Sequence, residues 1–167
     1  MAVTLTYELD LGQLRGAGDR LAAAATDMTP LMDAIGALLE QSARDRIEDT
    51  NTAPDGTPWP KSLRVEMNQG GKTLLDSGRL AASLTHIASR DQAEIGSNLI
   101  YAGVHQQGAE IRPTSGNALR FQLPDGRFVT VGKVTIPARP YLGASEEDEA
   151  EIRELTADYF GGAWGDL

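Results

Sequence analysis

Two segments, YAGVHQQG (residues 101–108) and IPARPYLGAS (residues 136–145), decide the fold predicted for this chain of 167 residues. The first predicts a short helix that ends at Gly108. The second predicts the end of a strand, a rigid Pro-Ala-Arg-Pro turn and the start of a final helix, because proline cannot continue a central strand. Neither segment contains a catalytic constellation. Together they predict two fixed corners of the architecture, with the chain between them projecting outward.

The chain between these corners contains a candidate β-hairpin at residues 116–134. Pro124-Asp125-Gly126 supplies the turn, and apolar side chains stand on both sides of it: Phe121, Leu123, Phe128, Val129 and Val131. A two-stranded hairpin alone is only marginally stable in water. Because this one carries many apolar side chains, we predict that another surface covers it and that it is an assembly arm. An ordinary meander is the alternative.

Hydrophobic periodicity predicts the elements outside this stretch. Residues 2–10 alternate in polarity, which indicates a half-buried strand. Apolar residues spaced by three and four predict helices over residues 10–25 and 30–49. Further along the chain we predict a short helix opened by Asp76, with Leu80 and Leu84 facing inward, and strands at 85–89 and 93–97. A last helix is predicted to begin at Ser145, which forms a capping-box-like start with Asp148 three positions on, and to end at Gly161-Gly162.

The segment NTAPDGTPWP (residues 51–60) predicts a loop in which Trp59 is a buried anchor rather than a platform for ligand stacking. Residues 61–72 are polar and rich in glycine, so we expect a mobile segment there. The GGKT at residues 70–73 lacks the upstream glycine of a phosphate-binding loop, since Glu66 occupies that position. No nucleotide site is predicted.

The order of these elements predicts an α+β fold. Two N-terminal helices and one C-terminal helix would pack on a small, mainly antiparallel β-sheet with a projecting β-hairpin. The length fits a single domain over residues 1–167.

The chain is acidic, with 15 Lys and Arg against 24 Asp and Glu, a net charge of -9. Proteins that grip nucleic acid neutralise its phosphates, so we predict that DNA could pass this protein without being bound. The chain has no cysteine, which excludes disulfides and cysteine-based metal sites. We expect neither a membrane span nor a signal peptide, and therefore assembly in the cytoplasm.

Residue chemistry predicts no catalytic residue, cofactor or metal. His105, near Tyr101 and Gln106, is interpreted as a hydrogen-bonded packing residue, and His86 as an ordinary strand residue. Asp76 is interpreted as a helix cap with a local ion pair to Arg79. Arg139, held before Pro140, is expected to pair with a carboxylate inside the fold, with a subunit contact as the second interpretation.

Four segments in order resemble the phage virion morphogenesis family, also called phage tail completion proteins. They are GTPWPK (56–61), LLDSGRLAASL (74–84), EIGSNLIYAGVHQQG (94–108) and IPARPYLGASEEDEAEI (136–152). The resemblance implies packing roles rather than catalysis. The structural or interface candidates that it supplies are Trp59, Tyr101, His105, Arg139 and Pro140. Phe121 and Phe128 are added as interface candidates because they flank the hairpin turn.

The resemblance also implies a non-enzymatic structural subunit of a tailed phage or prophage. Such proteins look like subunits of a neck or tail-terminator ring, commonly a hexamer, which caps the tail tube, docks onto the head connector and lets DNA pass through its lumen. Two alternatives remain open. One is an assembly factor that acts in the cytoplasm and is absent from virions, and the other is a small metal-dependent hydrolase or nuclease that uses the acidic last helix.

Overall fold

The computed structural model describes residues 11–68 and 70–164, and its first two elements are the predicted N-terminal helices. Helix α1 spans Leu11–Thr26 and α2 spans Thr29–Asp45. Oδ1 of Asp27 accepts hydrogen bonds from the backbone N–H and the hydroxyl of Thr29, which helps to start α2. The strand predicted over residues 2–10 lies outside the described residues.

Helix α2 continues into a π-helical segment, Arg46–Thr50, so the helical path ends close to the predicted residue 49. Asn51 ends it in the left-handed region, with φ of 56°, which asparagine tolerates better than most residues. This segment buries both Arg46 and Ile47. A charged side chain therefore lies in the interior, and its contribution to stability is considered in the Discussion.

A helix occupies part of the polar, glycine-rich segment at residues 61–72, where no regular element was predicted. Helix α3 spans Leu63–Asn68. Ser62 caps it, since its carbonyl accepts from the N–H of Glu66 at 3.0 Å and its hydroxyl lies 3.4 Å from the N–H of Val65. Val65 is buried. A single inward apolar residue gives too weak a periodic signal to predict so short a helix.

Strands β1 (Leu84–Ser89) and β2 (Gln92–Ser97) form an antiparallel hairpin that packs against α2, close to the predicted positions. The short helix α4 (Arg79–Ala82) precedes it. Gly36 allows α2 to lie close to β1, because a Cβ at that position would be 2.6 Å from Cδ2 of His86. Leu80 and Leu84 both point into the core, as predicted.

Helix α5 (Ala102–Gln107) leads into two further antiparallel pairs. Strand β3 (Ala109–Ile111) pairs with β6 (Val134–Ile136), and β4 (Leu119–Gln122) pairs with β5 (Phe128–Val131). The described strands thus form three two-stranded antiparallel sheets. The α+β prediction is confirmed.

The last helix, α6 (Glu146–Trp164), packs against α1 and α2. Ser145 and Asp148 cap it reciprocally, with N–H to carboxylate at 2.7 Å and N–H to hydroxyl at 3.2 Å, as predicted. The predicted end at Gly161-Gly162 was wrong, since the helix runs to Trp164. Glycine weakens a helix without breaking it, and the Tyr159 hydroxyl anchors this end by donating to the carbonyl of Asp27 at 2.9 Å.

The main core lies where α2, α4, β1 and α5 meet the loop around Trp59. Its buried residues are Ala43, Ile47, Trp59, Leu80, Ala81, Leu84, Ala102 and Tyr141. The Tyr141 hydroxyl donates to the carbonyl of Ala102 at 3.2 Å, so its polar atom is satisfied. None of the helices within residues 11–68 and 70–164 combines the length and apolarity needed to cross a membrane.

Candidate functional site: the corner cluster and the β-arm

Five of the seven predicted site residues lie together in what we call the corner cluster: Trp59, Tyr101, His105, Arg139 and Pro140. The indole N–H of Trp59 donates to the carbonyl of Pro140 at 3.0 Å. The backbone N–H of Arg139 donates to the carbonyl of His105 at 2.7 Å. The rings of Tyr101 and His105 meet edge to face, with centroids 6.0 Å apart. The two sequence corners are therefore joined to each other and to the Trp59 loop.

Arg139 is buried, but its side chain pairs with no carboxylate among the described residues, so the predicted intramolecular ion pair was wrong. Its guanidinium donates to the carbonyls of Pro60 at 2.8 Å and Lys61 at 3.2 Å. These loop carbonyls lie outside regular structure, so they have no partner within a helix or strand. Burial lowers the pKa of Arg139, while the charge of Glu66 acts in the opposite direction. Arg139 thus fastens the loop to the second corner.

His105 packs as predicted, but its ring is not hydrogen-bonded through Nδ1. This atom is buried and finds no hydrogen-bond partner among the described residues. Burial lowers the pKa of His105, and the positive charge of Arg139 lowers it further. The imidazole is therefore mainly neutral at pH 7, which suits a packing role.

Gln106 is a structural residue that the sequence interpretation missed. Its side-chain oxygen accepts from the N–H groups of Tyr141 and Leu142, each at 3.0 Å, and its amide donates to the Leu142 carbonyl at 3.1 Å. A polar residue on a short helix just before Gly108 carries no distinctive signal, because its partners lie more than thirty residues away. Gln106 holds the second corner against α5.

Gly108 ends α5 in a conformation with φ of 75°, as its position in the sequence suggested. A Cβ there would lie 2.8 Å from the backbone nitrogen of Ala138 and 2.9 Å from the carbonyl oxygen of Ile136. Glycine is therefore required for the two corners to approach each other. This close contact forms the base from which the intervening chain leaves the body.

Asp76 is largely exposed and its predicted roles were wrong. It pairs with Arg64, at 3.4 Å, instead of Arg79. Helix α4 begins after Gly78, which has φ of 75° and supplies no side-chain cap. This left-handed residue turns the chain between Asp76 and the helix. The guanidinium of Arg64 also donates to the carbonyls of Lys72 and Leu75, which organises the preceding loop.

Residues 109–136, here called the β-arm, carry the other two predicted site residues. All positions from 103 to 138 are described, and none of them is buried. Leu119 pairs with Val131 and Phe121 with Val129 on one face, where these side chains are half-buried. Phe128 is 61% exposed on the opposite face. Phe121 and Phe128 are therefore not brought together with the corner cluster.

The predicted turn closes the tip of the β-arm. Leu123 and Arg127 are joined by an N–H to carbonyl bond of 2.7 Å, and Gly126 has φ of 86°. Asp125 accepts from both the backbone and the side chain of Arg127, which holds the pKa of its carboxyl below the ordinary value. The tip is therefore ordered by its own bonds, and the side chain of Phe128 next to it is exposed.

His86 lies in β1, as predicted, but it also links β1 to α2. Nδ1 lies 2.7 Å from Oε2 of Glu40, and Nε2 lies 3.3 Å from Oδ1 of Asp33. Arg44 donates to the other oxygen of Glu40 at 2.6 Å. The hydrogen bond with Glu40 raises the pKa of His86, burial opposes this, and Asp33 adds to the rise.

The contacts of His86 with Glu40 and Asp33 are expected to make the stability of the protein depend on pH. Because the pKa of folded His86 lies above its ordinary value, the stabilisation is fully present below about pH 6.5 and is lost as pH rises through the folded pKa. His86→Gln should cost about 1 kcal/mol at pH 5.5 and less at pH 8.5, measured by urea unfolding. The wild type and the variant are compared at the same pH, so the contribution of His105 to the free energy of unfolding cancels. A cost that is independent of pH would contradict this prediction.

Comparison with known proteins identifies the class. Residues 9–161 match the model of the phage virion morphogenesis family. This chain belongs to that family. The Mu-like prophage FluMu G protein 2 of Haemophilus influenzae is 34% identical over 148 residues, covering 89% of each chain. The putative capsid assembly protein G of Escherichia phage Mu is 31% identical over 158 residues, covering 91% of each chain. No solved structure gave a significant match.

The family is one of virion morphogenesis and is not a known enzyme class. Within the described part of the chain, no group of three or more His, Cys, Asp or Glu side chains is placed to hold a metal ion. The corner cluster fixes the base of the β-arm, and the exposed arm can contribute to protein–protein contacts.

Proposed function

We propose that this protein is a structural virion protein that forms a ring at the head–tail junction of a tailed phage or prophage. There it completes or terminates the tail and joins it to the head connector. The observation that carries this proposal is the β-arm, in which an apolar face leaves the body without being buried. Family membership supports a role in building the particle.

The contacts of the corner cluster hold the base of the β-arm in a fixed position. Bonds from Trp59, Arg139 and Gln106 fasten the segment that follows β6 to the core. An interface held in its binding conformation loses less conformational entropy on association. The base of the β-arm is therefore preorganised, and the arm can meet the same surface on every copy.

A ring also suits the charge of the chain. Subunits that contact each other head to tail through two different surfaces close into a ring when the rotation allows it. A net charge of -9 leaves a lumen with little attraction for phosphates, so DNA could pass without sequence-specific binding. We propose a homo-oligomer, with six subunits as the expected number, that assembles in the host cytoplasm and remains in the virion at the tail or neck. Its partners would be the tail tube and the connector proteins. This role needs no catalytic residue, cofactor or metal.

A non-virion assembly factor is the second candidate. The name of the phage Mu relative, putative capsid assembly protein, favours a role during construction. The two candidates differ in where the protein ends up. Detection of the chain in purified, mature virions supports the structural ring, whereas its presence only in lysates of infected cells supports the assembly factor.

The effect of Phe128→Ser tests the β-arm directly. Loss of its apolar contact, about 1.5–3 kcal/mol, should weaken self-association by about 10–100-fold at each contact. Because Phe128 is 61% exposed, the melting temperature of the monomer should hardly change. Native mass spectrometry over a concentration series measures the ring fraction, and complementation measures tail joining.

Ile87→Ser is the matched control, since Ile87 is an apolar strand residue that is 70% exposed outside the β-arm. This variant should assemble like the wild type. Normal rings and normal virions with Phe128→Ser would show that the arm is not an assembly surface.

A further inference from the structure

The β-arm differs in charge from the rest of the chain. It contains four basic side chains, Arg112, Arg120, Arg127 and Lys133, and only two acidic ones, whereas the whole chain has 15 basic and 24 acidic residues. The guanidinium of Arg120 lies 4.9 Å from the ring centre of the exposed Phe128. One face of the arm therefore presents positive charge beside an uncovered aromatic ring.

An acidic cleft lies on the body between the 53–56 loop and the start of α6. It has a volume of about 650 Å³, and its acidic lining residues are Asp55, Glu146, Glu147 and Glu149. No lysine or arginine lines it. Hydrogen bonds from Thr57 hold the pKa of Asp55 below its ordinary value, so this carboxylate is charged at neutral pH. Apolar groups of Pro54 and Ala144 lie beside the carboxylates.

These two surfaces match each other in charge and in apolar content, but they are not joined within one chain. The ion pairs of the arm are local: Arg112 and Lys133 pair with Glu110, and Arg127 pairs with Asp125. Within the described residues, no ion pair connects the arm to the acidic cleft. Each copy also carries a net charge of -9, so two copies repel each other unless a local attraction brings them together.

We infer that the β-arm of one subunit docks in the acidic cleft of a second copy of this chain. Arg120 and Arg127 meet the carboxylates at the start of α6, and Phe128 packs on Pro54 and Ala144. The contact joins two different surfaces, so it propagates from subunit to subunit. This inference rests on the proposed ring and names its subunit interface.

Charge reversal tests this contact. An arm variant carries Arg120→Glu and Arg127→Glu, and a cleft variant carries Glu146→Lys and Glu147→Lys. Each alone should lower self-association by about tenfold or more at low salt, because opposite charges become like charges. Circular dichroism confirms that each variant is folded. The expected loss is measured by native mass spectrometry and sedimentation velocity.

Restoration is the decisive measurement. An equimolar mixture of the two variants should form rings again, with the variants alternating, and a chain carrying all four substitutions should assemble by itself. The matched control is Arg90→Glu with Glu94→Lys, a reversal at exposed positions of the β1–β2 hairpin, which should leave assembly unchanged.

Two results overturn the inference. One is normal assembly of either reversed variant, and the other is a loss that neither the mixture nor the combined chain restores. Wild-type chains that stay monomeric at high concentration also overturn it. The proposed function is judged separately, by the presence of the protein in mature virions, so a protein found in virions without this contact would retain its neck or tail role.

Discussion

Asp148→Ala is expected to lower the free energy of unfolding by about 3–5 kcal/mol, because it leaves a buried arginine without its counter-charge. Arg46 is 5% exposed and Asp148 6% exposed. Arg46 donates to Asp148 at 2.5 Å and to the carbonyls of Tyr141 at 3.1 Å and Gly143 at 2.7 Å. The pair therefore joins the end of α2 to the start of α6.

The Arg46–Asp148 pair also makes the stability of the protein depend on pH. Burial raises the pKa of Asp148, but bonds from Ser145 and Ser42 and the charge of Arg46 outweigh it, so the pKa lies below the ordinary value. A carboxyl with a lowered folded pKa stabilises the protein above its unfolded pKa, and this contribution is lost as pH falls through the folded pKa. The wild type should lose this stability in acid, whereas Asp148→Ala should lack this part of the pH dependence.

Asp148→Asn separates the charge from the helix cap, since its side-chain oxygen can still accept from the N–H of Ser145. It should cost less than Asp148→Ala. Glu149→Ala is the surface control on the same helix, because its partner Arg153 is 3.8 Å away and 70% exposed. It should change stability by less than about 0.5 kcal/mol. Chemical unfolding followed by far-UV circular dichroism measures all three, and equal losses for Asp148→Ala and Glu149→Ala would refute the prediction.

Trp59→Ala is expected to cost about 3–5 kcal/mol, the range for removing a large buried aromatic side chain. Trp59 is 6% exposed and belongs to the main core with Leu80, Ala102 and Tyr141. The substitution leaves a cavity and also removes the bond to the carbonyl of Pro140. Since that bond fastens the second corner, amide exchange at the base of the β-arm should become faster as well.

Trp59→Phe keeps an apolar ring but loses the donor, so it should cost about 1–2 kcal/mol. Leu63→Ala serves as the control, because Leu63 is 54% exposed and lies outside the main core. Unfolding is followed by far-UV circular dichroism, since the substitution removes a fluorophore. A loss of less than about 1 kcal/mol with Trp59→Ala would mean that the loop is anchored by other contacts, such as those of Arg139.

The predictions from sequence succeeded where the signal is local. The capping residues Ser145 and Asp148, the turn at Gly126 and the end of α5 at Gly108 each depend on residues within a few positions of each other. Periodicity likewise located α1, α2 and the β1–β2 hairpin. The interpretations of Asp76 and Arg139 failed because each assigned a partner from proximity in sequence or from charge alone. Ring formation, its stoichiometry and the tail partners stay predictions.

The α+β class, the two corners, the hairpin between them and the family could all be predicted from the sequence alone. These properties follow from hydrophobic period, turn chemistry and the order of short segments. Only the tertiary structure decided which polar groups meet in the interior. Arg46 and Asp148 are 102 positions apart, and Arg139 reaches a carbonyl 79 positions away. Such partners depend on how helices and loops pack together, so hydrophobic periodicity and motif spacing along the sequence do not predict them.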